Sequence, residues 1–281
     1  METAKKLLDT TSTPKGYRVS SDGRIHFSKD ERKLYFGLAT PPIVKDTTLL
    51  KEEIVNVEVW TYNEPRLYTV QELQVKNDRK KSYQTVIHLN TNKLVQIATT
   101  NYPNAQLADE GNSLIALVSN PKPYQLESQW SGSWDSDYAI VHTTTGERHL
   151  AIKKIGGSVR LSPKGKFAYG YSSVDSTWFA YSIAAGKRVD LTKGKMFYNE
   201  LNDSPKHPGS YGVAGWTEND ESMLIYDRYD IWKINPNTAT RVRLTNGRTD
   251  NVTYRYVKLD TEERFIDTRK KWLLTTFNEI N

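Results

Sequence analysis

A serine nucleophile held on a strand–turn–helix elbow needs glycine on both sides, because the strained turn leaves no space for a Cβ. Gly132-Ser133 is followed by Trp134 and Asp135 and has no second glycine at that spacing; Gly156-Gly157-Ser158 and Gly209-Ser210-Tyr211-Gly212 fail in the same way. No catalytic serine is expected among these residues. His26, His88, His142, His149 and His207 show neither H-E-x-x-H nor H-x-H spacing, so no metal site has sequence support. No glycine-rich phosphate loop occurs, and no cofactor is expected. Asp227-Arg228-Tyr229-Asp230 places two carboxylates and a guanidinium within four residues. Such a group can hold a ligand or metal; the preferred reading is an ion-pair and hydrogen-bond network in which the aspartates satisfy turn amides. Trp130 and Trp134 lie in a polar and aromatic segment, 121–136, read as a long loop, and are candidates for exposed substrate contacts. Trp60, Trp216 and Trp232 read as structural residues.

The elements that must position these residues are strands. Tyr and Trp are plentiful and no sustained 3.6-residue apolar period occurs, which favours β structure and excludes all-α and α/β readings. One pattern recurs: a polar turn followed at once by an apolar strand. It runs from Ser28 into Leu34-Tyr35-Phe36, from Asp109 into Leu114, from Ser162 into Phe167, from Glu218 into Met223, and more weakly from Asp267 into Trp272. The anchors follow at intervals of about 50 residues after a longer first interval, which is the signature of a β-propeller with an insertion in its first repeat. The expected fold is all-β, a partial propeller of about four to five blades of four-stranded antiparallel sheets. Residues 1–281 read as a single propeller region, expected to be incomplete at both ends because the last strand leaves an unfinished blade.

Within that frame, residues 55–62 alternate as a two-faced strand, and 67–74 and 83–89 read as strands. Residues 159–191 form a compact four-stranded set, and 211–245 the best-formed blade, with a turn at Asn235-Pro236-Asn237-Thr238.

The net charge of +6 is scattered. Its densest clusters, Arg79-Lys80-Lys81 and Arg269-Lys270-Lys271, sit beside Asp78 and Asp267 and read as turn or edge-strand charges, so nucleic acid is not an expected partner. There are no cysteines, hence no disulfides or thiolate metal sites. No apolar run approaches the length of a membrane span, and the first residues carry no signal-peptide core.

Several phrases resemble the propeller region of bacterial serine peptidases of the prolyl oligopeptidase family (family S9). They are Phe27 to Gly37, Val57-Glu58-Val59-Trp60, Leu161-Ser162-Pro163-Lys164-Gly165, Tyr211 to Trp216, Tyr226 to Trp232, Leu244 to Arg248, and Arg255 to Asp267 leading into Leu274 to Glu279. The resemblance covers nearly the whole chain, and the phrases from Tyr211 onward are the more specific. Lys164 departs from it, standing where these repeats usually carry Asp.

The resemblance implies a parent protein in which a C-terminal α/β-hydrolase domain, absent here, carries a Ser–Asp–His triad for peptide-bond hydrolysis. The propeller would gate access of peptide substrates and pack on that domain, without catalysis of its own. It further implies export to the periplasm or cell surface. Some relatives in the wider family use paired glutamates on the propeller to hold a substrate's amino terminus, which makes Glu52-Glu53 a substrate-binding candidate, although adjacent residues point to different sides on either a strand or a helix. The alternative is a stand-alone TolB-like propeller that binds a protein or glycan partner.

Overall fold

Strands that are apolar on both faces must be covered twice, and this chain does so by stacking sheets face to face. The computed structural model describes residues 6–280 apart from 10, 43, 45, 55, 56 and 58. The first sheet holds β1 (Arg18–Val19), β2 (His26–Phe27), β3 (Lys33–Ala39), β4 (Tyr83–His88) and β5 (Lys93–Gln96). β1 and β2 both pair with β3, as two halves of one inner strand. Between those halves, a Cβ built on Gly23 would lie 2.6 Å from the Gly37 Cα, so the bend requires glycine there.

The second sheet holds β6 (Asn104–Leu107), β7 (Ile115–Asn120), β8 (Asp135–His142) and β9 (Arg148–Gly156). The third holds β10 (Arg160–Leu161), β11 (Phe167–Ser172), β12 (Thr177–Ser182) and β13 (Lys187–Asp190). The fourth holds β14 (Val213–Trp216), β15 (Met223–Tyr226), β16 (Ile231–Ile234) and β17 (Arg241–Arg243); β18 (Val252–Tyr256) and β19 (Leu274–Asn278) form a two-stranded fifth. Within each sheet every pairing is antiparallel, and from the second sheet onward chain order equals strand order. This is a β-propeller arrangement, and it agrees with the recurring turn–strand pattern.

Side-chain alternation explains the stacking. In the third blade Ala168, Phe179 and Tyr181 pack on Leu117, Tyr138 and Ile140 of the second. The intervening residues Phe167, Trp178 and Ala180 face Trp216, Met223 and Ile225 of the fourth. The fourth in turn presents Leu224, Tyr226 and Ile231 to Tyr254, Tyr256 and Leu274 of the fifth. Burying each such large side chain contributes about 1.5–3 kcal/mol before entropy is counted. A β-bulge between Val213 and Gly215 brings the backbone so close to the fifth blade that a Cβ on Gly215 would meet the Ile266 Cδ1 at 2.9 Å.

The polar turns that head the repeats lie at one end of the blades and are tied to one another. Ser162 Oγ accepts the Phe167 amide at 3.0 Å, and Thr217 Oγ1 accepts the Ser222 amide at 3.0 Å, so both turns are closed by the same local bond. Buried Lys33 of the first blade donates to the carbonyls of Asn112 and Ser113 in the second at 2.9 and 2.7 Å. Arg264 of the fifth reaches Asp109 at 2.7 Å, Glu110 at 2.8 Å and the Pro163 carbonyl at 3.0 Å. Where Lys164 replaces the expected aspartate, the carboxylate comes from the next blade instead: buried Asp220 accepts the Lys164 amide at 3.0 Å.

Three sequence expectations change. Residues 68–74 of the expected strand over 67–74 belong to a helix, α1 (Tyr68–Arg79), with Leu67 as its N-cap, because Gln71-Glu72-Leu73-Gln74 and the later Lys76 and Arg79 are strong helix formers. The expected strand over 55–62 lies partly outside the described residues (Val55, Asn56, Glu58); its described part is non-strand and exposed, since no partner strand satisfies its backbone. In the 121–136 segment, a 3-10 turn (Lys122–Tyr124) and a short helix, α2 (Gln125–Ser131), replace most of the expected loop, and β8 begins at Asp135. A final helical turn, α3 (Gly247–Asp250), follows β17.

Candidate functional site

The end of the blades opposite the tied turns carries the chain's irregular structure. There the hairpin between β3 and β4 is expanded into residues 40–82, which include α1, and the connection between β7 and β8 is expanded into α2. The two expansions touch: the Gln129 side chain donates to the Glu64 carbonyl at 2.7 Å. Helix α1 is held by its own surroundings, with Arg66 bonded to Gln74 and Asp78 at 2.7 Å each and Gln71 to the Arg66 carbonyl. None of its twelve residues is buried. Leu73 is 83% exposed, and Val57, Val59, Trp60, Tyr62 and Leu67 nearby are also exposed.

Beside this surface lie two adjoining clefts. One, of about 740 Å³, runs between the second, third and fourth blades under Gly132-Ser133-Trp134 and Gly156-Gly157-Ser158, with Arg160, Tyr169, Tyr171 and Trp178 in its walls. The other, of about 750 Å³, shares Gly132, Ser133, Gly156 and Ser173 and adds Lys153, Lys154, Arg188, Lys206 and His207. Trp178 stacks at a tilt on Tyr171 with centroids 5.5 Å apart, and its buried indole N–H has no acceptor among the described residues. Burial also pushes the Tyr169 and Tyr171 hydroxyls above their ordinary pKa.

No known family profile matches this chain, and no curated protein matches it. Solved structures do. The chain is similar to the β-propeller domain of the Trilobed protease from Pyrococcus furiosus (7% identity, 93% of this chain and 70% of that one, TM-score 0.42). It is similar to dipeptidyl peptidase 4 of Porphyromonas gingivalis (12% identity, 79% of this chain, TM-score 0.41) and to TolB of Acinetobacter baumannii (12% identity, 91% of this chain, TM-score 0.36). The chain spans 30% of the peptidase and 52% of the TolB chain.

The sequence candidates fall into three places. Trp134 lines the first cleft and is 75% exposed, whereas Trp130 sits exposed on α2. Glu52 and Glu53 share one exposed 3-10 turn (Lys51–Glu53) in the insertion, and the Glu53 carboxylate accepts the Leu50 amide at 2.9 Å. Trp60 lies in the same insertion with its ring 5.2 Å from that of Tyr68.

The remaining candidates lie inside the fourth blade. Asp227 accepts the Tyr229 amide at 2.9 Å and the Trp232 indole at 3.0 Å, and Arg248 approaches it at 3.4 Å. Asp230, fully buried, accepts the Thr245 hydroxyl at 2.7 Å and the Gly247 amide that opens α3. Arg228 clamps Glu279 at 2.6 and 3.2 Å, and Trp216 is stacked on Phe167 at 5.8 Å. Hydrogen bonds within the fold occupy both carboxylates, which makes this cluster a brace between blades. Among the described residues no group of three or more metal-ligating side chains gathers. Among the described residues no helix is long and apolar enough to cross a membrane.

The three failed serine elbows have structural places too. Ser133 donates to Asp135 at 2.8 Å, Gly156-Gly157-Ser158 forms a wall of the first cleft, and Ser210 bridges to Tyr198. Arg160 and Lys206 escaped sequence reasoning. Neither carries a local signal that sets it apart in the sequence.

Proposed function

We propose that residues 1–281 are the non-catalytic β-propeller region of a prolyl-oligopeptidase-like serine peptidase, and that they dock on a C-terminal α/β-hydrolase domain and gate its access to peptides. The supporting observation is α1. A helix of this length is marginal in water by itself, and this one buries none of its residues, while Trp60, Leu67 and Leu73 of the same insertion are exposed. A partner domain covering that surface would stabilise both, and exposed apolar clusters of this kind are docking sites. The resemblance of the phrases from Tyr211 onward supports a hydrolase domain as that partner. In this reading the chain alone hydrolyses nothing, the triad belongs to the partner domain, and the protein works in the periplasm or at the cell surface.

Hydrogen exchange tests the docking. In the natural gene product the amides of Tyr68–Arg79 are expected to be protected well beyond their level in the 281-residue chain. Equal exchange in both sinks the docking role. The second reading, a TolB-like binding propeller, is favoured by the open clefts beside Trp134; it expects a partner to bind the isolated chain without any hydrolase domain.

A further inference from the structure

The two adjoining clefts carry an imbalance of charge. No acidic residue lines the first, and the side chain of Arg160 in its wall forms no ion pair or hydrogen bond among the described residues. In the second cleft the acids are already engaged: Glu127 holds Lys154 at 3.1 Å, Asp175 faces Arg188 at 3.6 Å, and Asp135 accepts the Ser133 hydroxyl. Lys153 and Lys206 there are exposed and take no ion-pair partner among the described residues. Three uncommitted cations therefore lie along one continuous groove. At the same place Trp134 offers an exposed aromatic face and the Trp178–Tyr171 pair an apolar wall.

We infer that this groove binds a short acidic peptide segment, with its carboxylates on Arg160 and Lys206 and an aromatic or aliphatic side chain between Trp134 and Tyr171. The chemistry favours a peptide over a nucleic acid. The cations are few and separated by glycine and serine backbone, whereas a polyphosphate needs a continuous basic stripe. Arg160 can take a carboxylate in two parallel bonds, which a point charge cannot. The site is distinct from the apolar insertion, so it stands whether or not a hydrolase domain docks there.

The test titrates the full chain into a fluorescein-labelled hexapeptide carrying two glutamates around a phenylalanine, read by anisotropy and by Trp fluorescence. Saturable binding is expected, weakened about tenfold or more by Arg160→Glu, by Lys206→Glu, or by replacing both glutamates with glutamine. Lys206 lies in an exposed loop, so its variant reports even where Arg160→Glu perturbs folding. Leu73→Ser is expected to leave binding unchanged. No binding, equal binding of the glutamine peptide, or equal competition by an oligonucleotide of the same charge overturns the inference.

Discussion

Asp220 of the fourth blade completes the turn that Ser162 heads in the third: its Oδ2 accepts the Ser162 hydroxyl at 2.6 Å and the Lys164 amide at 3.0 Å. The acceptor is buried, and so is the hydroxyl that meets it. Replacing Asp220 by alanine leaves these donors without a partner and is expected to cost about 2–4 kcal/mol, against about 1 kcal/mol for Ser162→Ala. Urea unfolding of the two single variants and the double variant measures this. A double variant whose cost is the simple sum of the singles contradicts the linkage.

Lys164 gives a prediction that runs against the repeat pattern. Lys164→Asp restores the residue type these turns usually carry, but in this chain the position already receives a carboxylate from Asp220 and sends its ammonium to Asp109 at 2.9 Å. The substitution brings like charges together and is expected to destabilise by about 1 kcal/mol or more. A rise in the unfolding midpoint shows that the local pattern outweighs the neighbour.

Arg264 predicts a pH dependence. Burial pushes the Asp109 carboxyl up, but hydrogen bonds from Arg264 and Lys164 outweigh it and hold the group below its ordinary 3.8. A carboxyl depressed on folding contributes stability that is complete above its unfolded pKa and is lost as pH falls through its folded value. Arg264→Gln is therefore expected to cost about 1 kcal/mol near neutral pH, with the penalty shrinking below about pH 4. A penalty that stays constant down to acid pH assigns Arg264 a packing role only.

The insertion behaves differently from the blades. Leu73 touches no core, so Leu73→Ser is expected to change stability by less than about 0.5 kcal/mol while weakening association with a hydrolase domain. Thermal unfolding and co-purification report the two effects separately. A large stability loss in the isolated chain places Leu73 in a folded core instead.

Blades were legible wherever local chemistry and tertiary pairing agree. The turn at Asn235-Pro236-Asn237-Thr238 joins the strands β16 and β17 as expected. Helix α1 was not legible, because periodicity reveals a helix through the face it buries, and this one buries none. The described part of the expected strand over 55–62, residues 57 and 59–62, is non-strand for the converse reason: its alternation has no partner strand among the described residues. Trp134 carried a usable signal as an aromatic in an irregular segment. Arg160 did not, since its significance lies in the lack of a nearby acid, which only the packed blades determine.

The most direct test of the central claim is to label the natural gene product with a fluorophosphonate and map the modified residue. The account predicts a labelled serine outside residues 1–281, on a polypeptide continuous with them, and peptide hydrolysis that the label abolishes. A label on Ser133, Ser158 or Ser210, or a gene product that takes no label at all, contradicts it.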